Sequence, residues 1–401
     1  MKKILFLGAA LHQTSIIKKA KERGLYVITC DNRPYNPGHR YADKTYNVST
    51  VDRDGILEVS KAENIDGIVA YASDASAPTA AYVSENLGLS TSPLSSVEIL
   101  TNKDRFRQFL RNEGLATPKF GVYFDAVSFM EDIGRFEFPI VIKPVDSSGS
   151  RGVNRITDVS GDIEEAITEA LKYSLKGKFI VEEFVKKKGY QISGDAFSVD
   201  GKLRFWSFGN EYCIKDKRLK DFIPMGECWP SDHSEAEKQL VVDELQRIIS
   251  TLRMGTNAYN VEAMIGEDGR AYIMELGPRN GGSMIPEVIE KVTGVDLMEY
   301  TIRAALGENC EGLQLGSERG FWANYNIPSF KEGRFRDIHI DDMIKPKIVD
   351  FKCNFKKGEN VPLFQHYHSN AVGLLLMNFE SCEEMHYMIS QLTSLVDVEV
   401  D

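Results

Sequence analysis

The chain has 401 residues, too many for one ordinary core, so two or three domains are expected. Apolar residues make up 42% and charged residues 27%, the balance of a folded soluble protein. The net charge of −11 argues against a nucleic-acid binder, which needs a basic face, but leaves ATP open, because a nucleotide needs only a few local cations.

The opening "MKKILFLGAALHQTSI" has a basic start and an apolar stretch, as a signal peptide would. It runs directly into "KKAKERGLYVITCD", which reads as helix and then strand, so a folded first strand is expected. Through residue 95 the pattern alternates: strand "KILFLG", helix "HQTSIIKKAKERG", strand "LYVITCD", helix "DRDGILEVSKAEN", strand "IDGIVAYA", helix "SAPTAAYVSENLG". Such alternation implies βαβ units and a parallel sheet. The glycine fingerprint of a dinucleotide site fails, since Gly8 is followed by Ala10 and Gln13 where glycines belong. A small ligand at the strand ends is the better reading, with Gly8, Asp31 and Asp74 as candidates; solvated loop residues explain each of them as well. "LSTSPLSSVEIL" reads as a Ser/Pro-bearing connection.

From 101 to 307 the pattern becomes α+β. A helix "NKDRFRQFLRNEGL" precedes strands with short turns, and Asp200-Gly201 and Asp268-Gly269 read as hairpin turns. Helices return at "SEAEKQLVVDELQRIISTLR" and "IPEVIEKVTGVDLMEYTIRAALG". Residues 308–401 read as a smaller, mostly β region. No apolar run approaches the ~20 residues of a membrane span. Cys30, Cys213, Cys228, Cys310, Cys353 and Cys382 form no CxxC pair and have no histidine at zinc spacing, so reduced thiols in a cytoplasmic protein are expected.

Three features of the middle region carry chemistry. Lys103 opens a helix and Lys143 ends the apolar run "IVIK"; alone, each would be a surface charge. Lys143 is followed by "DSSGSRGV", where Ser147, Ser148, Gly149, Ser150 and Gly152 are small enough for backbone N–H groups to turn toward an anion. Between two antiparallel strands this loop would close over phosphates as a flap. Finally, "AYNVEAMI" and "AYIMEL" flank "GEDG". If Gly266 pairs with Gly269, Glu262 lies opposite Ile273 and Glu275 is its diagonal neighbour, about 7–8 Å away. Two carboxylates on one face call for a cation between them, and Mg²⁺ shared with phosphates is the usual one.

With these residues in this order, the first ~300 positions resemble the ATP-grasp superfamily. The resemblance implies an α/β Rossmann-like domain (1–95), an α+β ATP-grasp domain (101–307, with a lid at about 117–186) and a mostly β C-terminal region (308–401). It implies that Lys103 and Lys143 hold phosphates, that the flap covers them, and that Glu182, Glu183, Phe184 and Val185 of "VEEFV" contact adenine. Glu262 and Glu275 match the magnesium-binding acids, with Mn²⁺ as a substitute, and Arg279 matches the arginine that stabilises the phosphoryl-transfer or acyl-phosphate stage.

Two positions depart from the family pattern. Gln191 stands where a ribose-binding acid is usual, and Gly277 replaces the asparagine that often assists the metal. "GPRNGG" is nearer the branch with the purine-biosynthetic formate ligase and amino-acid ligases, which would place Asn280, Gly281 and Gly282 at the acceptor pocket. The implied activity is ADP-forming ligation of a small-molecule carboxylate, through an acyl phosphate, to an amine or similar nucleophile. A bicarbonate-using or carbamoyl-phosphate-type enzyme and a non-catalytic nucleotide-binding module are the alternatives. Dimerisation is common among such proteins, so a homodimer belongs to the same expectation.

Lys215, in a basic stretch with Lys217, Arg218 and Lys220, is read either as a substrate-loop residue or as part of a solvated loop. His366 and His368 share a strand face, which reads as an ordinary polar face rather than a metal site.

Overall fold

The computed structural model describes residues 1–213, 223–364 and 371–401. The basic stretch containing Lys215, and the His366/His368 pair, lie outside the described residues. No helix among the described residues is long and apolar enough to cross a membrane.

The first sheet is parallel, built from β1 (Lys3–Leu7), β2 (Tyr26–Cys30), β3 (Lys44–Tyr46) and β4 (Gly67–Val69) in the order β3-β2-β1-β4. Crossover helices α1 (Thr14–Glu22) and α2 (Arg53–Glu63) join β1 to β2 and β3 to β4, and α3 (Ala77–Leu87) follows β4, as the alternating pattern anticipates. The Ser/Pro stretch departs from expectation. Pro93 caps a short helix α4 (Leu94–Leu100), which forms because Val97 and Leu100 can be buried together. α5 (Lys103–Asn112) follows immediately.

A second, antiparallel sheet comes next, made of β5 (Phe120–Tyr123), β6 (Ile140–Pro144), β7 (Asn154–Ile156) and β8 (Phe179–Glu183), in the order β5-β8-β6-β7. Helices α6 (Ala126–Asp132) and α7 (Ile163–Tyr173) accompany it. Phe129, Ile142, Ile167 and Phe179 form its own small core, so this sheet is a packed unit with the 145–153 loop at its edge.

The large sheet has eight strands. β9 (Lys187–Val199) and β10 (Lys202–Tyr212) form a hairpin at Asp200-Gly201, both with positive φ, as a two-residue turn of this kind requires. β11 (Gly226–Trp229), helix α8 (Glu235–Thr251), β12 (Asn257–Gly266) and β13 (Ala271–Gly277) follow. α8 is held at its start by a reciprocal Ser234/Glu237 cap and packs on one sheet face, against Val261 and Ala263. Because side chains alternate along a strand, Glu262 and Glu275 point to the other face.

The long apolar helix anticipated near residue 290 is broken. Gly294 adopts φ +75°, and Asp296 accepts the Glu299 N–H, so α9 (Ile285–Thr293) ends and α10 (Leu297–Ala305) begins. Met298, Ile302 and Leu306 then pack with Ile4, Phe6 and Val27, so α10 shares a core with the first sheet.

Beyond 307 come β14 (Phe321–Ile327), β15 (Gly333–Ile340), β16 (Ile348–Cys353), β17 (Asn360–Val361), β18 (Gly373–Phe379), α11 (Cys382–Leu395) and β19 (Val396–Val400). β14, β18 and β16 extend the large sheet, whose full order is β13-β12-β9-β10-β11-β14-β18-β16. The 14-residue helix α11 was not anticipated in a region read as mostly β; Met385, Met388 and Leu392 seat it on a buried cluster with Leu375 and Met377.

β9 lies between β10 and β12, and Gly194 is its closest approach: a Cβ there would stand 2.1 Å from the Ser207 carbonyl oxygen. Gly194→Ala is expected to lower the unfolding free energy by about 1–3 kcal/mol, read by urea denaturation, because the strands must part to admit the methyl.

Candidate active site

The hairpin of β12 and β13 sets the centre of the site. Its turn closes with the Gly266 N–H on the Arg270 carbonyl (2.9 Å), leaving a three-residue loop with Gly269 at φ +79°. The register is thus one residue longer than the expected Gly266–Gly269 pairing gives. A bulge at Met274 adds a second residue: Ala263 pairs with Ile273, but Glu262 pairs with Glu275. The two acids are therefore direct cross-strand partners rather than diagonal ones, with an expected Cβ separation of about 4.5–5.5 Å. Arg107 holds the bulge, its Nη2 donating to the Met274 carbonyl at 2.9 Å.

The electrostatics follow from that register. Burial, reinforced by the facing Glu275, pushes the Glu262 carboxyl up to about 7, while Lys103 and Arg279 oppose the rise. Lys103 is at the first position of α5; its Nζ donates to Glu275 Oε2 (3.0 Å) and to the Ser147 carbonyl (2.8 Å). Burial disfavours its charge, yet Glu275 outweighs this and the lysine's pKa is raised. One lysine thereby connects the acid pair to the flap.

Lys143 lies one layer back. Its Nζ is 2.7 Å from Glu182 Oε2, and Arg107 Nε is 2.8 Å from Glu182 Oε1, with Arg107 at 0% and Glu182 at 2% exposure. Burial would raise the Glu182 pKa, but the two cations overcome it and hold the carboxyl at about 2. Lys143 is lowered, by burial first, with Glu182 resisting and Arg107 and Lys103 adding to the fall. The Glu182 side chain thus faces inward to two cations. Of the rest of "VEEFV", the Glu183 N–H donates to the Lys119 carbonyl and the Phe184 N–H to the Pro139 carbonyl, both at 2.9 Å. The Phe184 ring lies under Arg155, 4.4 Å from the guanidinium carbon, and Val185 follows the strand end.

The flap joins the antiparallel strands β6 and β7. Gly149, Ser150 and Gly152 have positive φ, and the Ser147 hydroxyl donates to the Arg151 carbonyl (3.1 Å). Ser148 accepts Arg151 Nε at its carbonyl. A Cβ on Gly152 would press on Pro144, Tyr173 and the Ala170 Cα at 3.0–3.2 Å, so the flap base passes close over α7. A cavity of about 630 Å³ runs beneath it, lined by Lys103, Ser147, Ser148, Arg151 and Glu275, with Arg53, Arg105 and Lys176 farther along.

Arg279 reaches the first domain: its Nε and Nη2 form a two-pronged pair with the Asp74 carboxylate, and Nη1 donates to the Asn280 carbonyl (3.0 Å). Asp74 is lowered because this guanidinium outweighs its burial. Asn280 is a correction to the acceptor-pocket expectation. It is fully buried, accepting from Thr301 Oγ1 (2.7 Å) and donating to Asp195 (3.4 Å). Asp195 also accepts the Gly281 N–H and is pushed up to about 6 by burial. Asn280 therefore anchors the "NGG" loop. The strand-end candidates of the first domain are likewise engaged internally. Asp31 accepts from the Ala9 N–H, the Arg33 N–H and Asn36 Nδ2, and the Gln13 amide fills the space beside Gly8, donating to the Leu7 and Tyr71 carbonyls.

Gln191 is on β9, opposite Glu211 of β10, which in turn pairs with Glu227 of β11. Glu211 is pushed well above the usual carboxylate range, by burial first and then by Glu262 and Glu227. Glu211, Glu227 and Arg107 are the residues sequence reading passed over. Arg107 had a signal, four residues after Lys103 on one helical face; the glutamates had only strand alternation.

Residues 100–283 match the family model of the ATP-grasp domain. The chain carries an ATP-grasp domain. Formate-dependent phosphoribosylglycinamide formyltransferase from Methanocella arvoryzae is 24% identical over 356 residues, covering 86% of this chain and 82% of the relative. The carbamoyl phosphate synthase large chain of Clostridium perfringens is 22% identical over 84% of this chain, which spans only 31% of that protein. Among solved structures, the L-amino acid ligase from Bacillus licheniformis superposes with a TM-score of 0.82 at 21% identity, covering 100% of this chain and 99% of its own.

The Arg107–Glu182–Lys143 cluster of this ATP-grasp domain gives a stability prediction. Glu182→Gln leaves two buried cations without their carboxylate and is expected to cost about 3–5 kcal/mol at neutral pH. The native carboxyl is depressed, so its contribution is complete above about pH 4.5 and is lost as pH falls toward 2. Unfolding free energies of the two proteins, measured from pH 7 downward, should converge only below about 4.5.

Proposed function

We propose that the protein is an ATP-dependent, ADP-forming ligase that activates a small-molecule carboxylate as an acyl phosphate and transfers it to an amine or similar nucleophile. The observation that carries this reading is the direct pairing of Glu262 with Glu275, with Lys103 bridging Glu275 to the flap. A pair of facing half-buried acids, one with its carboxyl pushed up to about 7, is an unfavourable arrangement that a divalent cation relieves. The donor set fits magnesium, or manganese: hard carboxylate oxygens, beside a cavity large enough for phosphates. When bound there, the ion supplies charge neutralisation for phosphate oxygens.

The chain's own groups have separable roles in this proposal. Lys103 and Lys143 provide positive charge beneath the nucleotide phosphates, and Glu182 and Arg107 keep Lys143 in position. Ser147 to Gly152 form the lid that excludes water from an acyl phosphate that would otherwise hydrolyse. Glu182 to Val185 border the adenine, with Phe184 and its Arg155 neighbour as the flat surface, and Gln191 meets the ribose. Arg279 offers a planar fork to the transferring group, held ready by Asp74. A Rossmann-like first domain, the assignment of residues 1–95, 101–307 and 308–401 to separate modules, a homodimer, a cytoplasmic location and a part for Lys215 near the substrate belong to the same proposal.

ADP release measured across acids crossed with amines, amino acids included, tests the reading. Turnover is expected only when an acid and an amine are present together, and Glu275→Gln is expected to abolish it. ADP release that needs bicarbonate and no amine would replace the ligase with a carboxylating enzyme.

A further inference from the structure

Beside the large sheet, three side chains of different origin converge. Cys382 and His386 stand four residues apart on α11, which places them on one face of the helix. Asp232 comes from the loop after β11. One potential ligand atom from each of the three lies within 4.8 Å of the other two, and His386 Nε2 is 3.5 Å from Asp232 Oδ1. Among the described residues this is the one such group of three, and it corrects the expectation that no cysteine has a histidine at metal spacing. That spacing is invisible unless 382–386 is read as helix, because i and i+4 meet only there.

The surroundings are built to hold these groups. The Asp232 loop is fixed by Asn210, whose Oδ1 accepts the Asp232 N–H (3.0 Å) and Ser231 Oγ (3.1 Å). The His386 ring stacks on Tyr190 of β9, with centroids 6.0 Å apart and planes 17° from parallel. Ser381 caps α11 by accepting the Glu384 N–H at 3.1 Å, which fixes Cys382 as the first helical residue. Cys382 and His386 are half-buried, and Asp232 is exposed and open to water. Four-coordinate zinc with bond lengths of about 2.0–2.3 Å needs ligand atoms roughly 3.3–3.8 Å apart. The Asp–His separation already meets this, and the Cys382 sulfur lies within 4.8 Å of both partners' ligand atoms.

We propose that Asp232, Cys382 and His386 bind a zinc-class divalent ion, with water as the fourth ligand, which clamps the C-terminal helix onto the ATP-grasp sheet. Thiolate, imidazole and carboxylate together select zinc over magnesium or calcium, whose preferred ligands are all oxygen. The cysteine proton is released to solvent on binding, and no redox change is involved. The site is separate from the magnesium-type acid pair, so occupancy of one can be read without the other.

The test uses the full chain, reduced and stripped with EDTA, in excess Mg²⁺ to occupy the acid pair, and titrated with Co²⁺. One equivalent should give tetrahedral visible bands and a sulfur-to-cobalt charge-transfer band, and one equivalent of Zn²⁺ should abolish both. Cys382→Ser should lose the charge-transfer band, and His386→Ala and Asp232→Ala should each weaken zinc binding at least about tenfold. Zn²⁺ should raise the melting temperature of the unmodified chain but not of Cys382→Ser, whose circular dichroism in EDTA should match the parent. No charge-transfer band in the unmodified chain, or a band that survives Cys382→Ser, overturns the proposal. The unmodified chain's spectrum decides the matter even if a variant does not fold.

Discussion

Two glutamates facing each other across adjacent strands create a constraint that the neighbouring charges answer. Glu262 and Glu275 share one face of the sheet, and burial makes their mutual repulsion expensive. Lys103 touches one of them, Arg279 acts on the other through space, and Glu211 nearby is pushed toward its neutral form. Arg107 secures the bulge that put the two acids opposite each other, and the same guanidinium pairs with Glu182, which in turn holds Lys143. A single buried arginine thus fixes both the spacing of the acids and the position of the second lysine.

The same economy appears between domains. Asp74 comes from the loop after β4 of the first sheet, yet its partner is Arg279 at the end of β13. On another side, Lys352 of β16 donates to Glu287 of α9 and to Ser15 of α1, so three regions meet in one polar cluster. α10 adds an apolar bond of the same kind by sharing the first sheet's core. The flap is anchored at its start by Lys103, which bonds the Val145 and Ser147 carbonyls, and by Asp146, which accepts from Ser174 and the 175–176 backbone.

Legibility from sequence followed the range of the interaction involved. The alternating βαβ pattern, the Asp200-Gly201 turn and the flap between two strands were readable, because each depends on residues close together in the chain. The α9/α10 break at Gly294 and the helix α4 after Pro93 were locally signalled but misread, since flanking apolar residues masked the caps. Residue types and order were legible: Lys103, Glu262 and Glu275 meet, while Lys143 pairs with Glu182 one layer back. Their partners were not. Asn280 reads as a polar loop residue until Asp195 and Thr301 are seen on either side of it, and Asp31 reads as a ligand candidate until the Ala9 and Arg33 N–H groups are seen to occupy it.

What the chain order alone determined is the inventory: two lysines, a small-residue loop and two acids, each on an element whose local pattern is strong. What tertiary structure decided is which charges face each other. Glu262 and Glu275 became direct partners through one residue of turn and one of bulge, a shift no pattern of alternation records. Arg279 was directed to Asp74, and Glu182 to Arg107 and Lys143, by packing between segments about 39 to 205 residues apart. The C-terminal strands joined the large sheet because β11 had an unpaired edge to offer, and hydrogen-bonding edges carry no signature in sequence. Charge pairing across such distances depends on where the backbone folds, so it is settled only when the fold is complete.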